Sequence, residues 1–417
     1  MKRKSMENRI NIRNVIISLT MIFLLCISKI SAEELSLISD KYILYNMNDN
    51  KVIMKKDENV KTQIASLTKL MTVLVAIENI KDFDEKVTIT SEMINNIEWD
   101  VAKIGLKKGQ VVTYDDLLFC TMLPSAADCA NGLAISIGGN YDKFIEMMNE
   151  KAKNLGLKNT HFANPVGLYS KKNYSTAYDV AELLKYSLKN KKFKEVFEKK
   201  DYTLTTGKKV KSTLKSYNEK VGEDISYITG AKTGFIDEAG RCLASTATID
   251  NVNYMLITLN AYSSKKSPHI LDATATYKYF SNNYSYKNIL DKNDTIVKLK
   301  TKYAKEKEVS IHHDEEFTSY LKNDFKKEDL VYDYDGIKEV SYFTKKGTKL
   351  GTVKIKYNNE VLKVFVVNYN ETLSFSIWQY IWINKFYIIV VVIVVYMTIL
   401  INKKKRRRKR NKHRITE

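Results

Sequence analysis

The feature that most constrains the fold is an uncharged, mostly β-branched run near the end of the chain, from Phe386 to Ile401. With the aromatic residues Trp378, Tyr380 and Trp382 just before it, this segment can cross about 30 Å of hydrocarbon. Ten Lys and Arg residues follow between Lys403 and Arg414. A basic run in this position favours a stop-transfer anchor over a nucleic-acid-binding arm. We therefore predict a transmembrane helix over residues 378–402 and a basic cytoplasmic tail over residues 403–417, with the preceding part of the chain outside the cell.

The start of the chain has the order of regions that is typical of a secretory signal. Basic residues between Lys2 and Arg13 precede an apolar run from Val15 to Ile27, and small residues end at Ala32. We interpret residues 1–32 as a signal peptide that exports the chain. An uncleaved anchor is the alternative, because Ile30 is an imperfect residue for a cleavage site.

The formal net charge of +20 comes mostly from these two ends. The N-terminal segment carries +5 and the tail carries +9, so +6 remains on the part between them. This mild basic excess suits an anionic wall or membrane surface and is no evidence of nucleic-acid binding.

The part that we predict to be exported divides into two stretches with different sequence patterns. Residues 33–285 mix helices and strands: a hairpin around Asn48 to Asn50, a buried helix over Leu70 to Ile80, two short helices broken at Pro124, and a turn at Asp250 and Asn251. Residues 286–372 consist of alternating, β-branched, Lys-rich segments, which predict a small β-domain. The fold class is therefore α/β (α+β), followed by an all-β domain and the membrane helix.

Four cysteines add little to this picture. Cys26 lies in the signal segment, and Cys120, Cys129 and Cys242 remain, an odd number without metal-like spacing. At least one of them is expected to be free. We interpret them as buried small hydrophobic residues in a fold that is not stabilised by disulfides.

Ser66 and Lys69 form a Ser-x-x-Lys pair at the start of the predicted buried helix. The pattern occurs four times in the chain, so the spacing alone carries little information. Residues three apart lie on one helix face, and the first turn places the hydroxyl at the positive end of the helix dipole. Lys69 could activate this hydroxyl only if burial or a nearby cation lowers the pKa of its amine.

The sequence offers one candidate for that second cation. Lys232, Thr233 and Gly234 are the only Lys-Thr-Gly of the chain and lie in a predicted strand. Between the two motifs, Ser125 lies at a helix–helix junction, where a third hydroxyl could relay a proton.

The order Ser-x-x-Lys, Ser-x-x, Lys-Thr-Gly is typical of penicillin-binding proteins and serine β-lactamases. The blocks "IASLTKLMT", "LPSAADCANGLA", "NPVGLYSKKNYSTAYDVAEL" and "GAKTGFIDEAGRCLAS" resemble one branch more closely. These are the low-molecular-weight penicillin-binding proteins that act as serine D-alanyl-D-alanine carboxypeptidases, peptidase family S11. The resemblance covers roughly Glu34 to Ser285, and it implies a serine β-lactamase/DD-peptidase-like transpeptidase domain over residues 33–285.

The resemblance also implies a role for each motif residue. Ser66 would be the acylated nucleophile, Lys69 its general base, and Ser125 the group that passes the proton to the leaving D-alanine. Lys232 and Thr233 would bind the carboxylate of the substrate or of a penicillin.

The next two residues complete the implied substrate site. Gly234 follows in the motif, and the backbone N–H groups of Ser66 and Phe235 would form the oxyanion hole.

The middle motif departs from the family pattern. Relatives usually have Ser-x-Asn, whereas this chain has Ser125, Ala126 and Ala127. Two interpretations stay open: another group, Asp128 or Asn131, replaces the missing amide, or activity is reduced.

Other polar residues are interpreted as structural. Asp179 is expected to be a helix-capping or structural residue rather than a general acid, and His161 to have a structural role in its loop. Five scattered His residues do not suit a zinc carboxypeptidase. No metal or cofactor is expected.

The sequence thus predicts a membrane-tethered serine D-alanyl-D-alanine carboxypeptidase that trims peptidoglycan stem pentapeptides and is acylated by β-lactams. One alternative is a serine β-lactamase, although no Glu-x-x-x-Asn segment is placed to activate water. The other is a catalytically impaired wall-binding homologue. A Lys, Asn and Ile excess indicates an AT-rich genome, and a C-terminally anchored wall enzyme without disulfides suits a Gram-positive bacterium. The oligomeric state stays open.

Overall fold

The computed structural model describes residues 35–95 and 97–413. The predicted signal peptide, residues 1–32, lies outside these described residues. The chain forms two compact units, Met1–Asn282 and Asn283–Glu417.

The first unit is built on a five-stranded antiparallel sheet. In chain order its strands are β1 Ser39–Asn46, β2 Lys51–Lys56, β7 Ile228–Ile236, β8 Gly240–Ile249 and β9 Val252–Ala261. The spatial order is β2-β1-β9-β8-β7, so β7 stands at one edge. Two small ribbons pair β3 Lys86–Thr88 with β4 Val111–Thr113, and β5 Asp201–Thr203 with β6 Lys209–Lys211.

Helices cover this sheet and form a helical region beside it. They are α1 Lys69–Asn79, α2 Ser91–Ile94, α3 Tyr114–Met122, α4 Ala127–Gly138, α5 Tyr141–Asn154, α6 Ala177–Ser187, α7 Lys191–Glu198, α8 Thr213–Asn218 and α9 Pro268–Asn283. The predicted buried helix is confirmed as α1, in which every residue from Lys69 to Ile77 is buried. A 3-10 turn, Ala65–Thr68, precedes it.

Several turn predictions are confirmed. Asn50, with a φ of 52°, closes the first hairpin. Helix α3 ends before Pro124, and helix α4 begins after it. Asp250 and Asn251, with φ of 49° and 63°, connect β8 to β9. Such left-handed conformations are tolerated best by Gly, Asn and Asp, which explains why the sequence signalled these turns.

The expectation of a fold without disulfides is wrong. Cys120 in α3 and Cys129 in α4 are bonded, with their Cα atoms 6.0 Å apart. The turn between the two helices brings together residues that are nine positions apart in the chain, which residue spacing does not reveal. Cys242 is free and buried, and burial raises the pKa of its thiol to about 12.

The second unit is a β-domain with its own core. Its strands are β10 Tyr284–Leu290, β11 Thr295–Lys302, β12 Glu308–His312, β13 Phe317–Lys322, β14 Val331–Gly336, β15 Glu339–Ser341, β16 Lys349–Tyr357 and β17 Glu360–Asn368. They form the sheets β10-β13, β12-β11-β15 and β14-β16-β17. Fully buried residues such as Ile289, Val353 and Ile355 fill the space between them.

Two helices follow the β-domain. They are α10 Ile377–Ile383 and α11 Lys385–His413, separated at Asn384. Within the described part of the chain, one helix is long and apolar enough to cross a membrane, over Lys385–Arg408, and its side chains are exposed. The helical backbone continues through the basic segment as far as His413.

Candidate active site

Ser66 and Lys69 lie side by side where the 3-10 turn passes into α1. Lys69 Nζ lies 3.1 Å from Ser66 Oγ and donates a 2.6 Å hydrogen bond to the carbonyl oxygen of Val166. Lys69 is 2% exposed, and this burial lowers the pKa of its amine to about 7, against a smaller opposing effect of the Asp128 charge. A buried amine with this pKa is largely unprotonated just above neutral pH, so it can accept the proton of a hydroxyl.

Ser125 lies beside the second lysine. Lys232 Nζ donates to Ser125 Oγ at 2.9 Å and to its neighbour's carbonyl oxygen, Thr233 O, at 2.7 Å. Lys232 is fully buried, and burial followed by the charge of Lys69 lowers the pKa of its amine well below its usual range. The structure therefore brings together all three polar groups of the predicted proton path.

Ser125 is held in an unusual backbone conformation. Its φ of 63° lies in the left-handed region, as does the φ of 47° at Ala65, next to Ser66. Non-glycine residues in this region cost free energy and are maintained by the structure around them. At Ser125 that structure includes the Cys120–Cys129 disulfide, which joins the two flanking helices.

Strand β7 packs directly against the nucleophile turn. A Cβ built on Gly234 would lie 3.0 Å from Ser66 N and 3.1 Å from Ala65 Cβ. Gly167 on the opposite loop has a φ of 84°, and its Cβ would overlap the carbonyl of Ala65. A side chain at Gly167 would clash with this backbone, and one at Gly234 would displace its neighbours by a few tenths of an ångström, so these glycines let β7 and the loop pack closely against the turn.

These residues surround one cavity of about 680 Å³. Of the predicted site residues it is lined by Ser66, Lys69, Ser125, Thr233, Gly234 and Phe235. Lys232 does not line it and reaches it through Ser125. Four carboxylates, those of Glu98, Asp100, Asp237 and Glu238, belong to the same wall. The cavity therefore presents a hydroxyl nucleophile, an adjacent base and a polar strand edge to one ligand.

Neither proposed substitute for the missing motif amide reaches this cavity. Asp128 accepts hydrogen bonds from the backbone N–H groups of Ile104, Gly105 and Leu106, at 3.2, 2.8 and 3.0 Å. Asn131 is buried in α4, with its Oδ1 unpaired among the described residues. Neither lines the cavity, so Asp128 serves the fold and neither side chain takes the place of the missing amide.

The structural interpretations of Asp179 and His161 are confirmed. The Asp179 carboxylate accepts bonds from Asn159 N and Thr160 Oγ1, both at 2.8 Å. His161 Nδ1 lies 2.6 Å from the Lys172 carbonyl oxygen. Asp179 therefore ties α6 to the preceding loop, and His161 joins two parts of that loop.

Sequence reasoning missed Thr213 and Arg241. Thr233 Oγ1 donates to Thr213 Oγ1 at 2.7 Å, which orients the motif threonine. The Arg241 guanidinium lies 4.9 Å from the ring of Tyr217 and 4.7 Å from that of Phe235, two rings of the cavity wall. Its Nη1 is buried and has no hydrogen-bond partner among the described residues. The cross-strand pairing of Arg241 with Phe235 is a tertiary fact that the motif itself does not signal.

Comparison with known proteins places these features in a family. Residues 28–263 match the family described as D-alanyl-D-alanine carboxypeptidase, Peptidase S11. The chain is 31% identical to the D-alanyl-D-alanine carboxypeptidase DacF of Bacillus subtilis over 333 residues, which cover 77% of this chain and 82% of that one. It is 34% identical to the D-alanyl-D-alanine carboxypeptidase of Streptomyces sp. K15 over 219 residues, which cover 49% of this chain and 75% of that one.

Solved structures give the same result for the fold. The carboxypeptidase DacD of Francisella tularensis superposes with a TM-score of 0.63 at 21% identity, covering 82% of this chain and 95% of that one. Penicillin-binding protein 6B of Escherichia coli superposes with a TM-score of 0.62 at 21% identity, covering 81% and 98%. These neighbours include the β-rich region that follows the first domain.

Proposed function

Because this chain belongs to the D-alanyl-D-alanine carboxypeptidase family, peptidase S11, we propose that it removes the terminal D-alanine from peptidoglycan stem pentapeptides through an acyl-enzyme on Ser66. The family and the α+β fold predicted from the motifs are confirmed. One observation carries the assignment of the nucleophile: Ser66 Oγ lies 3.1 Å from Nζ of Lys69, whose pKa burial lowers to about 7.

Acylation begins with a proton transfer. Unprotonated Lys69 accepts the hydroxyl proton of Ser66 while Oγ attacks the carbonyl carbon of the penultimate D-alanine. The electron pair of the carbonyl bond moves to its oxygen, which accepts hydrogen bonds from the backbone N–H groups of Ser66 and Phe235.

The acyl-enzyme forms when the C–N bond breaks. The proton taken from Ser66 passes by way of Ser125 to the leaving nitrogen, and free D-alanine departs. Water then attacks the ester carbon, which releases the shortened peptide and restores the Ser66 hydroxyl. The 3.1 Å contact from Lys69 to Ser66 supports the first transfer, and the cavity that Ser66, Lys69 and Ser125 line together supports the second.

The terminal carboxylate of the substrate is assigned to the edge of β7. Thr233 Oγ1, oriented by Thr213, offers a hydroxyl there, and Lys232 stands behind it. Burial, followed by the charge of Lys69, lowers the pKa of the Lys232 amine well below its usual range. The guanidinium of Arg241, over the rings of Tyr217 and Phe235, adds a positive group on this side of the cavity.

A catalytically impaired wall-binding protein is the second candidate function. It is favoured by the unfilled position at Ala127, since neither Asp128 nor Asn131 lines the cavity. Loss of one electrostatic group typically reduces a rate by 10²- to 10³-fold without abolishing acylation. We therefore retain an active enzyme as the proposal.

The proposed location is the outer face of the cell membrane of a Gram-positive bacterium. The apolar span of α11 would cross the bilayer once, with the basic residues after it on the cytoplasmic side. The first unit would then meet peptidoglycan outside the cell, after export by the N-terminal signal.

Intact-mass measurement tests the proposal. The purified full chain is exposed briefly to benzylpenicillin, beside Ser66→Ala as the matched control. We expect a stable adduct on the native chain and none on the variant, followed by release of D-alanine from a pentapeptide. Adduct without peptide hydrolysis would support the wall-binding candidate, and fast loss of the adduct would support a β-lactamase. No adduct on either chain would contradict Ser66 as the nucleophile.

A further inference from the structure

Five aromatic rings form a cluster where the β-domain meets the helices at its end. They belong to Tyr303, Tyr342, Phe343, Phe375 and Tyr380. Their centroids are close together in a chain of contacts: Tyr303 to Tyr380 at 5.2 Å, Tyr342 to Phe375 at 5.2 Å, Tyr303 to Phe343 at 5.8 Å and Phe375 to Tyr380 at 5.9 Å. The cluster therefore links the β15–β16 loop to α10.

Hydrogen bonds fix α10 to the same part of the β-domain. Ala304 N donates to Gln379 Oε1 at 2.8 Å, and Ser376 N donates to Tyr303 O at 3.1 Å. Lys305 N donates to Ser374 O at 2.8 Å. The helix α10, which precedes the apolar helix, is thus attached to the β-domain by hydrogen bonds.

Two of these rings belong to the β15–β16 loop, residues 342–348, and are exposed to solvent. Tyr342 is 41% exposed and Phe343 is 59% exposed. The loop is ordered by its own bonds, since Thr344 N donates to Ser341 O at 2.8 Å and Gly347 N donates to Tyr369 O at 2.7 Å. Large apolar side chains that are both exposed and held in place indicate a contact surface.

The position of this loop along the helix axis can be derived from α10 and α11. Phe386 is the first residue of the apolar run, and Tyr380 precedes it by six residues, about 9 Å at the helical rise. Each polar layer of a bilayer is roughly 5–8 Å thick. Because α10 and α11 are separated at Asn384, this length is an upper limit, and residues in contact with Tyr380 are within the lipid head-group layer or at its outer edge when α11 spans the membrane.

Two further features suit that layer. Trp378 and Trp382 on α10 are 78% and 71% exposed, as expected of an interfacial aromatic belt. The loop continues with Lys345 and Lys346, both exposed, whose ammonium groups complement anionic head groups.

We propose that the β15–β16 loop is a second membrane contact, in which Tyr342 and Phe343 enter the outer head-group layer and Lys345 and Lys346 bind anionic lipid. The inference rests on the proposed membrane anchoring by α11. The contact ties the β-domain to the bilayer at two places, the helix and the loop, and so limits how far the domain can tilt on its anchor.

Depth-dependent quenching tests the loop directly. The full chain, with Cys26 and Cys242 changed to serine, carries one labelled cysteine at a time in vesicles of phosphatidylcholine with or without phosphatidylglycerol. Phe343→Cys reports the loop, and Ile393→Cys reports the span. Val331→Cys is the matched control: Val331 is 57% exposed, and it pairs with Lys356, about 24 Å along β16 from Lys349.

We expect head-group quenchers to quench the label at residue 343 at least threefold more than the label at residue 331, and more so with phosphatidylglycerol. Quenching at residue 393 without quenching at residue 343 would overturn the loop contact and leave the anchor intact. Equal quenching at residues 343 and 331 would overturn a specific loop contact. Quenching at neither residue 343 nor residue 393 would overturn the anchor as well.

Discussion

Lys69 owes its proposed function to its surroundings. Burial lowers the pKa of its amine, and the charge of the Asp128 carboxylate raises it by a smaller amount. Because the amine must be unprotonated to accept the Ser66 proton, its titration should appear in the rate of acylation.

Acylation by benzylpenicillin should increase as the pH rises through about 7 and then level off. Below that pH the Lys69 amine is protonated and cannot act as a base, so the rate should fall about tenfold per pH unit. Stopped-flow or quenched intact-mass measurement of the second-order rate constant between pH 5 and 9 checks this.

Asp128→Asn is the control for this pH profile. The amide keeps the shape of the carboxylate but removes a charge that raises the pKa of Lys69, so the midpoint should move to lower pH. A midpoint that does not depend on residue 128 would argue against Lys69 as the titrating group.

Arg241 should favour acylation by ligands that carry a free carboxylate over ligands that do not. Arg241→Gln is expected to slow acylation by benzylpenicillin roughly 10- to 100-fold, because the site loses its permanent positive charge. Acylation by the penicillin methyl ester, which has no carboxylate charge, should change little. Arg241→Lys, which keeps the charge, should retain part of the discrimination. An equal loss for acid and ester would show that Arg241 only supports the rings of Tyr217 and Phe235.

At the scale of elements, the Cys120–Cys129 disulfide constrains the junction between α3 and α4. The bond closes a short loop whose residues include Ser125 in its left-handed conformation. Restricting the unfolded chain with a loop of this length contributes about 2–3 kcal/mol to the free energy of unfolding.

Reduction of the disulfide should therefore destabilise the first unit by about 2–3 kcal/mol and slow acylation, because Ser125 loses part of its support. Denaturant unfolding and penicillin acylation, each with and without dithiothreitol, measure both effects. A Cys120→Ala, Cys129→Ala double variant should show the lower stability and no response to the reductant. If reduction leaves acylation unchanged, the bond serves stability alone.

At the scale of the whole molecule, α11 makes no buried contact in its apolar window. Ending the chain after residue 383 should give a protein that stays in solution without detergent, with a penicillin acylation rate within about twofold of the full chain. Sedimentation and intact mass measure the two properties.

Ending the chain after residue 369 is the contrasting truncation. It also removes α10, including Gln379 and Tyr380, which bind Ala304 and contact Tyr303. The β-domain should then unfold at lower temperature, because the remaining rings of its aromatic cluster lose their packing against α10. Equal melting temperatures for the two truncations would contradict the attachment of α10 to the β-domain.

The sequence by itself determined the features that depend on local order. The apolar run, the buried helix after Ser66 and the turns at Pro124 and Asp250 follow from hydrophobic periodicity and from turn residues with restricted backbone preferences. The motif order was also sufficient to recognise the family, because three spaced motifs together are far more specific than any one of them.

Only the tertiary structure decided the features that depend on contact between distant segments. The Cys120–Cys129 bond, the support of Thr233 by Thr213 and the stacking of Arg241 between two rings require the packed chain. The low pKa of Lys69 is of the same kind, since desolvation is a property of everything that surrounds the amine. Spacing along a chain encodes periodicity, whereas burial and long-range contacts arise only when the segments meet.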